Sequence, residues 1–232
     1  MSTQMQMSAP SHITPGFEVF PSVVNRTEVV RIGEAFEGDA IVRSRAGARH
    51  LMQHPAVDGI ARDRRLVSIA SRFLGTSAIP FRATLFDKSP DNNWLVVWHQ
   101  DTALPLRERR AVSGWGPWSV KAGITYAHAP ASALSRVVAL RLHIDDSRSD
   151  NGPLRVLPGT DTLGVLSDAE VAYVASDVHA VDCVAPAGGI VAMRPLLIHA
   201  SSKAEIDRRR RVLHIEYADS LHIAAGLELA IA

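Results

Sequence analysis

GIVAMRPLLIHASSKAEIDRRRRVLHIEYA, residues 189–218, decides how the rest of the chain is read. Two apolar runs flank a polar connector. In the second run Arg210, Val212, His214 and Glu216 fall on one face, and Arg211, Leu213, Ile215 and Tyr217 on the other, which is the period of a strand. The greasier face is expected to pack against another layer, and the polar face to line a cavity. Upstream lie further short β-like runs: FRATLFDK (81–88), WLVVWHQD (94–101), RVVALRLHID (136–145) and PLRVLP (153–158). Turn residues at 89–93, 150–153 and 187–189 separate them. Before all of these, HPAVDGIARDRRLVSIASRFLG (54–75) spaces Val57, Ile60, Leu66, Ile69, Ala70 and Phe73 as a helix does. Pro55 suits its first position and Gly75 its stop. The expected fold class is therefore mainly β, a barrel or sandwich buttressed by N-terminal helices. Residues 1–16 are expected to be a mobile tail and 17–232 a single domain, with helical support over about 25–75 and the barrel over about 78–220.

Composition narrows the function classes. Twenty-five basic and 24 acidic residues leave a net charge of +1, against the basic excess that nucleic-acid binding needs. No apolar run reaches the roughly 18 residues of a membrane span, and the N-terminus lacks a secretory pattern. The one cysteine, Cys183, excludes an intramolecular disulfide framework and a cysteine-rich zinc site, and fits a reducing cytoplasm. Ten histidines against three tyrosines are the unusual feature.

His99 and Asp101 end one strand-like run, two residues apart and hence on one face. An imidazole and a carboxylate are two parts of a 2-His-1-carboxylate facial triad, which leaves positions of Fe(II) open for a cosubstrate and O2. His199, closing the run 190–199, is the candidate third ligand. His143 and Asp145 form a second pair of the same spacing, and either pair alone is a weak signal. Of the four consecutive arginines, Arg210 lies on the polar face, where its fork suits a carboxylate; the other three read as a solvated loop.

The order of HPAVDGIARD, FLG, FDKSPDNNWLVVWHQD, DNGPLRVLPGT and HASS…RRRRVLHIEY, over residues 47–217, resembles the phytanoyl-CoA dioxygenase family of Fe(II)/2-oxoglutarate oxygenases, which includes ectoine hydroxylase. The resemblance implies a double-stranded β-helix, a jelly-roll or cupin-like barrel. It also implies an Fe(II) site of His99, Asp101 and His199, and oxidative decarboxylation of 2-oxoglutarate with O2 to succinate and CO2, coupled to hydroxylation of a small metabolite. It selects Arg210, eleven positions after the distal histidine, for the C5 carboxylate of 2-oxoglutarate, and Ser201 as a further contact. It places His143 and Asp145 on the strand entering what is expected to be an Asn-Gly-Pro-Leu hairpin, away from iron. Gly159-Thr160-Asp161 departs from the family's Gly-Ser/Thr-His. Asp101 is retained, where halogenating relatives carry a small residue.

Substrate clues are thinner. The long insert 102–135 carries Trp115, Trp118 and Lys121, and is either a lid over the substrate or a loop pinned by its tryptophans. Lys88, in alternation with Arg82, Thr84 and Phe86, is either a hairpin-edge lysine or a contact to 2-oxoglutarate or an anionic substrate. Arg141 and His143 share an inward face with His214, and Arg141 is read as a cosubstrate or substrate contact or as half of an internal ion pair. Together they suggest a small, carboxylate-bearing substrate. The competing readings are a cupin-like metal-binding protein without oxygenase activity and a nucleic-acid demethylase, against which the charge weighs.

Overall fold

A computed structural model describes residues 16–37, 41 and 47–232; all but the last residue of the expected tail lies outside them. The chain opens with β1 (Phe17–Phe20), α1 (Arg26–Ala35) and β2 (Gly47–Arg49), followed by α2 (Pro55–Ala61), α3 (Arg64–Leu74) and the long β3 (Ile79–Lys88). Next come β4 (Val96–His99), β5 (Ala103–Leu106), β6 (Trp118–Lys121), β7 (Ile124–His128), a short α4 (Ala131–Leu134) and β8 (Val137–His143). The remainder is β9 (Leu154–Val156), α5 (Asp168–Asp177), β10 (Val181–Cys183), β11 (Ile190–Met193), β12 (His199–Ser201), β13 (Arg210–Ala218), β14 (His222–Ala224) and β15 (Leu227–Glu228). No helix among the described residues is long and apolar enough to cross a membrane.

The strands form a six-stranded sheet, β1-β11-β8-β13-β3-β2, facing a four-stranded one, β10-β9-β12-β4. Every pairing in both is antiparallel. Ala139, Val191 and Met193 of the larger sheet pack against Leu154, Val156 and Cys183 of the smaller. The outer face of the larger sheet carries Leu213, Ile215 and Tyr217, buried together with Leu66, Ala70 and Phe73 of α3. The alternation in 210–217 therefore sorts the two faces as expected. Asn25 and Glu28 build a capping box on α1, and Gly75 ends α3 in the left-handed region at φ 73°.

Several local expectations are corrected. The helical stretch 54–75 is two helices, because the Asp63 side chain accepts the Arg65 N–H and caps a new start. The run 190–199 is two strands in different sheets: Pro195, which cannot donate to a ladder, sits in the turn between β11 and β12. The stretch DNGPLRVLP is a crossover and no hairpin, since β8 and β9 belong to opposite sheets. There Asn151 holds the turn through Arg148 N–H and Asp146 O. Gly152 has φ 65°, and a side chain on it would lie 2.4 Å from Ser202 O. The insert 102–135 carries a three-stranded sheet, β5-β7-β6, and the short α4. The N-terminal part supplies strands β1 and β2 to the larger sheet as well as helices, and the C-terminal residue pairs with Phe81 and Ala83 of β3.

Candidate active site

His99 ends β4 and His199 begins β12, and the two are register partners, so their rings meet with centroids 4.2 Å apart. Asp101 lies two residues beyond β4, its N–H bonded to Pro195 O. One ligand atom from each of the three lies within 4.8 Å of the others, the only such group of three found among the described residues. His99 Nε2 is 3.7 Å and His199 Nε2 3.5 Å from the carboxylate oxygens of Asp101. That is slightly wider than the roughly 3 Å between neighbouring ligands of one ion at about 2.1 Å. Each ring donates its Nδ1–H to a backbone carbonyl two residues back, His99 to Val97 O and His199 to Leu197 O, both at 2.8 Å. This fixes the tautomer and leaves both Nε2 lone pairs for a metal. The donor set thus fits a divalent ion of nitrogen–oxygen preference.

Charge in the site follows from burial. Burial, only partly opposed by Asp101, pushes His199 down to about 4, so it is neutral at pH 7. Burial raises Asp101, but His199, His214, His99 and Arg82 outweigh it and hold the carboxyl below its ordinary range. With His199 neutral, Arg82 is the permanent cation in that set.

Beside the three ligands is a cavity of about 100 Å³. Its walls include Phe86, Val96 and Leu154, and its polar groups are Lys88, Arg141, Ser201 and Arg210. Arg210 is 4% exposed and, among the described residues, donates only to Asn151 O, at 3.2 Å. Burial, then Arg141, brings its guanidinium down to about 10. Lys88 Nζ donates to Ser201 Oγ at 3.0 Å and to Ser202 O, and Ser201 Oγ donates to Gly152 O. Lys88 is therefore no hairpin-edge residue: β3 and β4 lie in different sheets, and the ammonium is 1% exposed. Burial with Arg210 and Arg141 nearby pushes it down to about 8. Arg141 is also buried; its Nη1 donates to His214 Nδ1 at 3.1 Å, while Nε has no partner among the described residues. The alternative of an internal ion pair finds no carboxylate bound to it among the described residues.

Other candidates sit elsewhere. His143 is buried with its Nδ1 bonded to Ser147 Oγ, and His214 stands behind Arg141; neither forms the cavity wall. Asp145 is taken by Arg211 through the backbone and both ends of the guanidinium, which removes the second His-x-Asp pair from metal chemistry. Trp115 is core, among Leu104, Ala127 and Leu227, and Trp118 packs on the same cluster. They pin the β5-β7-β6 sheet and do not touch the cavity. Lys121 is exposed on β6, its Nζ 5.0 Å from the Tyr126 ring.

Two features escaped the sequence. Gln100, between two ligands and so facing away from them, bonds Gly164 O, Leu196 O and Leu166 N–H. It ties the metal strand's end to two loops, and strand alternation was the available signal. Arg82 and Glu216, register partners on β3 and β13, form a largely buried ion pair; Glu216 lies on the face expected to point inward.

A family model described as Phytanoyl-CoA dioxygenase (PhyH) matches residues 26–212. L-proline trans-4-hydroxylase of Streptomyces griseoviridis is 25% identical, covering 78% of this chain and 69% of its own length. Among solved structures, AviO1 from Streptomyces viridochromogenes Tue57 superposes with a TM-score of 0.65 at 23% identity, over 89% of this chain and 90% of that one. EctD from S. alaskensis, solved with 2-oxoglutarate and 5-hydroxyectoine, gives 0.66 at 17% identity, over 88% and 72%.

Proposed function

Because the chain belongs to the phytanoyl-CoA dioxygenase family, whose members use Fe(II) and 2-oxoglutarate, we propose that it hydroxylates a C–H bond of a small-molecule metabolite and releases succinate and CO2. The observation that carries this is the pairing of a His-Asp-His group, both Nε2 atoms turned to Asp101, with a buried arginine that has no carboxylate bound to it among the described residues. A metal-binding protein without oxygenase activity gives Arg210 no purpose.

His99, Asp101 and His199 would hold the iron, which supplies, with 2-oxoglutarate and O2, the oxidising power of the reaction. Arg210 would pair with the C5 carboxylate of 2-oxoglutarate, with Ser201 and Lys88 at its side. Its guanidinium is desolvated before the ligand arrives, so pairing there restores an interaction that water does not supply. Asp101, held down by the histidines around it and by Arg82, is ready as a ligand. Phe86, Val96 and Leu154 keep the cavity apolar around these few charges, which excludes water from competing reactions. Asp101 occupies the position that halogenating relatives open, which favours hydroxylation. The hydroxylase named among the relatives supports the same reaction class.

The test is anaerobic addition of Fe(II) and 2-oxoglutarate, read as the weak visible charge-transfer band of the chelate. A band in the intact protein that is lost in His99→Ala is expected. No band, or one unchanged in that variant, overturns the proposal.

A further inference from the structure

Along the inner face of β3, Lys88 and Arg82 stand six residues apart, about 20 Å of strand. Lys88 lines the cavity beside the metal group, and Arg82 stands close enough to Asp101 to help lower its carboxyl. At the Lys88 end the cavity already holds Arg210 and Ser201. The Arg82 end carries a second gathering of cations. Arg82 Nη1 donates to Ala103 O, two residues past Asp101, and its guanidinium carbon lies 5.7 Å from the centre of the Tyr126 ring. Lys121 Nζ approaches the same ring at 5.0 Å. Arg49 is the register partner of Thr84, so its side chain shares the face that carries Arg82.

Only Arg82 of the three is neutralised, by Glu216. Arg49 and Lys121 have no carboxylate partner among the described residues. Both are exposed, whereas Tyr126 between them is buried. The arrangement is held stiffly. Lys121 opens a two-residue turn, Ala122-Gly123, with both residues at positive φ, 48° and 81°. His50 sits at φ 60°, a costly conformation for a residue with a side chain, with Nε2 hydrogen-bonded at 2.8 Å to Tyr126 Oη. Partial desolvation lowers His50 and Lys121, and their cationic neighbours Arg49 and Arg82 lower both further, while Asp101 pulls Lys121 the other way.

We infer that Lys121 and Arg49, with Arg82 behind them, form an anion-binding rim around Tyr126 on the Asp101 side of the metal group, and that it receives a carboxylate of the substrate. This rests on the proposed oxygenase reaction and names its substrate class: a small carboxylic acid, held by its acid group at the rim with the carbon to be oxidised turned towards the metal ligands. The two cationic ends then divide the labour, Arg210 for the cosubstrate and the rim for the substrate. Like-charged side chains brought together without an acidic partner lower their mutual repulsion when an anion enters, so the rim favours anions over neutral analogues of equal shape.

The experiment uses the intact protein loaded anaerobically with Fe(II) and 2-oxoglutarate, the visible band reporting loading. α-Amino acids, 2-hydroxy acids and short dicarboxylic acids, each paired with its primary amide, are titrated calorimetrically. At least one acid is expected to bind while its amide does not. Lys121→Gln and Arg49→Gln, at exposed positions that the fold tolerates, should each weaken that acid about tenfold, one charge-assisted contact's worth, and Lys121→Arg should regain part of it. The inference is overturned if no acid binds, if amides bind as well as acids, or if both glutamine variants bind as tightly as the parent. A shifted 2-oxoglutarate midpoint in Lys121→Gln also overturns it, since the rim would then serve the cosubstrate. Failure of the parent to give a band is a different result and refutes the oxygenase reading itself.

Discussion

Replacing Arg210 by methionine should make the ligand-free protein more stable while nearly abolishing 2-oxoglutarate binding. Arg210 is 4% exposed and its guanidinium is depressed to about 10 by burial and by Arg141. A cation whose pKa falls on folding opposes folding at every pH below the folded value, because the unfolded chain holds the proton more tightly. The drop corresponds to about 3 kcal/mol at about 1.4 kcal/mol per pH unit. Against it stands the lost bond to Asn151 O, about 1 kcal/mol. Methionine fills the space of the aliphatic stem, so the net gain is about 2 kcal/mol. For a chain of this size that raises the melting temperature by roughly 4–8 °C. Binding moves the other way: losing a desolvated, charge-assisted pair costs about 3 kcal/mol, roughly 100-fold in 2-oxoglutarate affinity. Thermal unfolding with chelator present gives the first quantity, and the anaerobic titration of the visible band the second. The reasoning is refuted if the variant binds 2-oxoglutarate within threefold of the parent, or if the ligand-free variant is less stable than the parent.

Three further outcomes are expected. Gln100→Leu, which removes bonds to Gly164, Leu196 and Leu166, should lower metal affinity about 10- to 100-fold through misplaced ligands; an unchanged metal titration contradicts that. His143 is held down at about 3 by burial, Arg141 and Arg210, so the unfolded chain binds a proton that the folded one refuses below the ordinary value of 6.5. Its contribution is present above pH 6.5 and about 2 kcal/mol of it is lost by pH 5. Urea unfolding of His143→Gln should therefore show a shallower acid decline than the parent, and parallel curves would refute the linkage. Tyr217→Phe deletes the bond from the buried hydroxyl to Ala61 O at 2.8 Å, which ties α2 to the central strand. It should cost about 1–2 kcal/mol in urea unfolding without moving the 2-oxoglutarate titration; an unshifted midpoint would show that bond to be idle.

What the chain declares locally, it declares well. Faces follow from a period of two or 3.6, so Leu213, Ile215 and Tyr217 are legible as the helix-facing side and Arg210, His214 and Glu216 as the inner one. Gly75 and Pro55 mark helix ends because φ and the missing N–H are properties of single residues. His99, Asp101 and His199 are legible as candidates through spacing and family order, and the fold does bring them together.

Long-range pairing decided the rest. Nothing in 81–101 or 136–156 distinguishes a hairpin from a crossover, since both need a turn, and only the partner strands select between them. That choice carries Lys88 from an expected edge into a buried pocket, and places Trp115 and Trp118 in a core beneath an ordered sheet. It also assembles Arg49, Arg82 and Lys121 from three separate strands around Tyr126. Long charged side chains have several reaches available, and which one is taken depends on the desolvation and partners that distant segments supply. Sequence periodicity says which way a side chain faces; tertiary structure alone says what it faces.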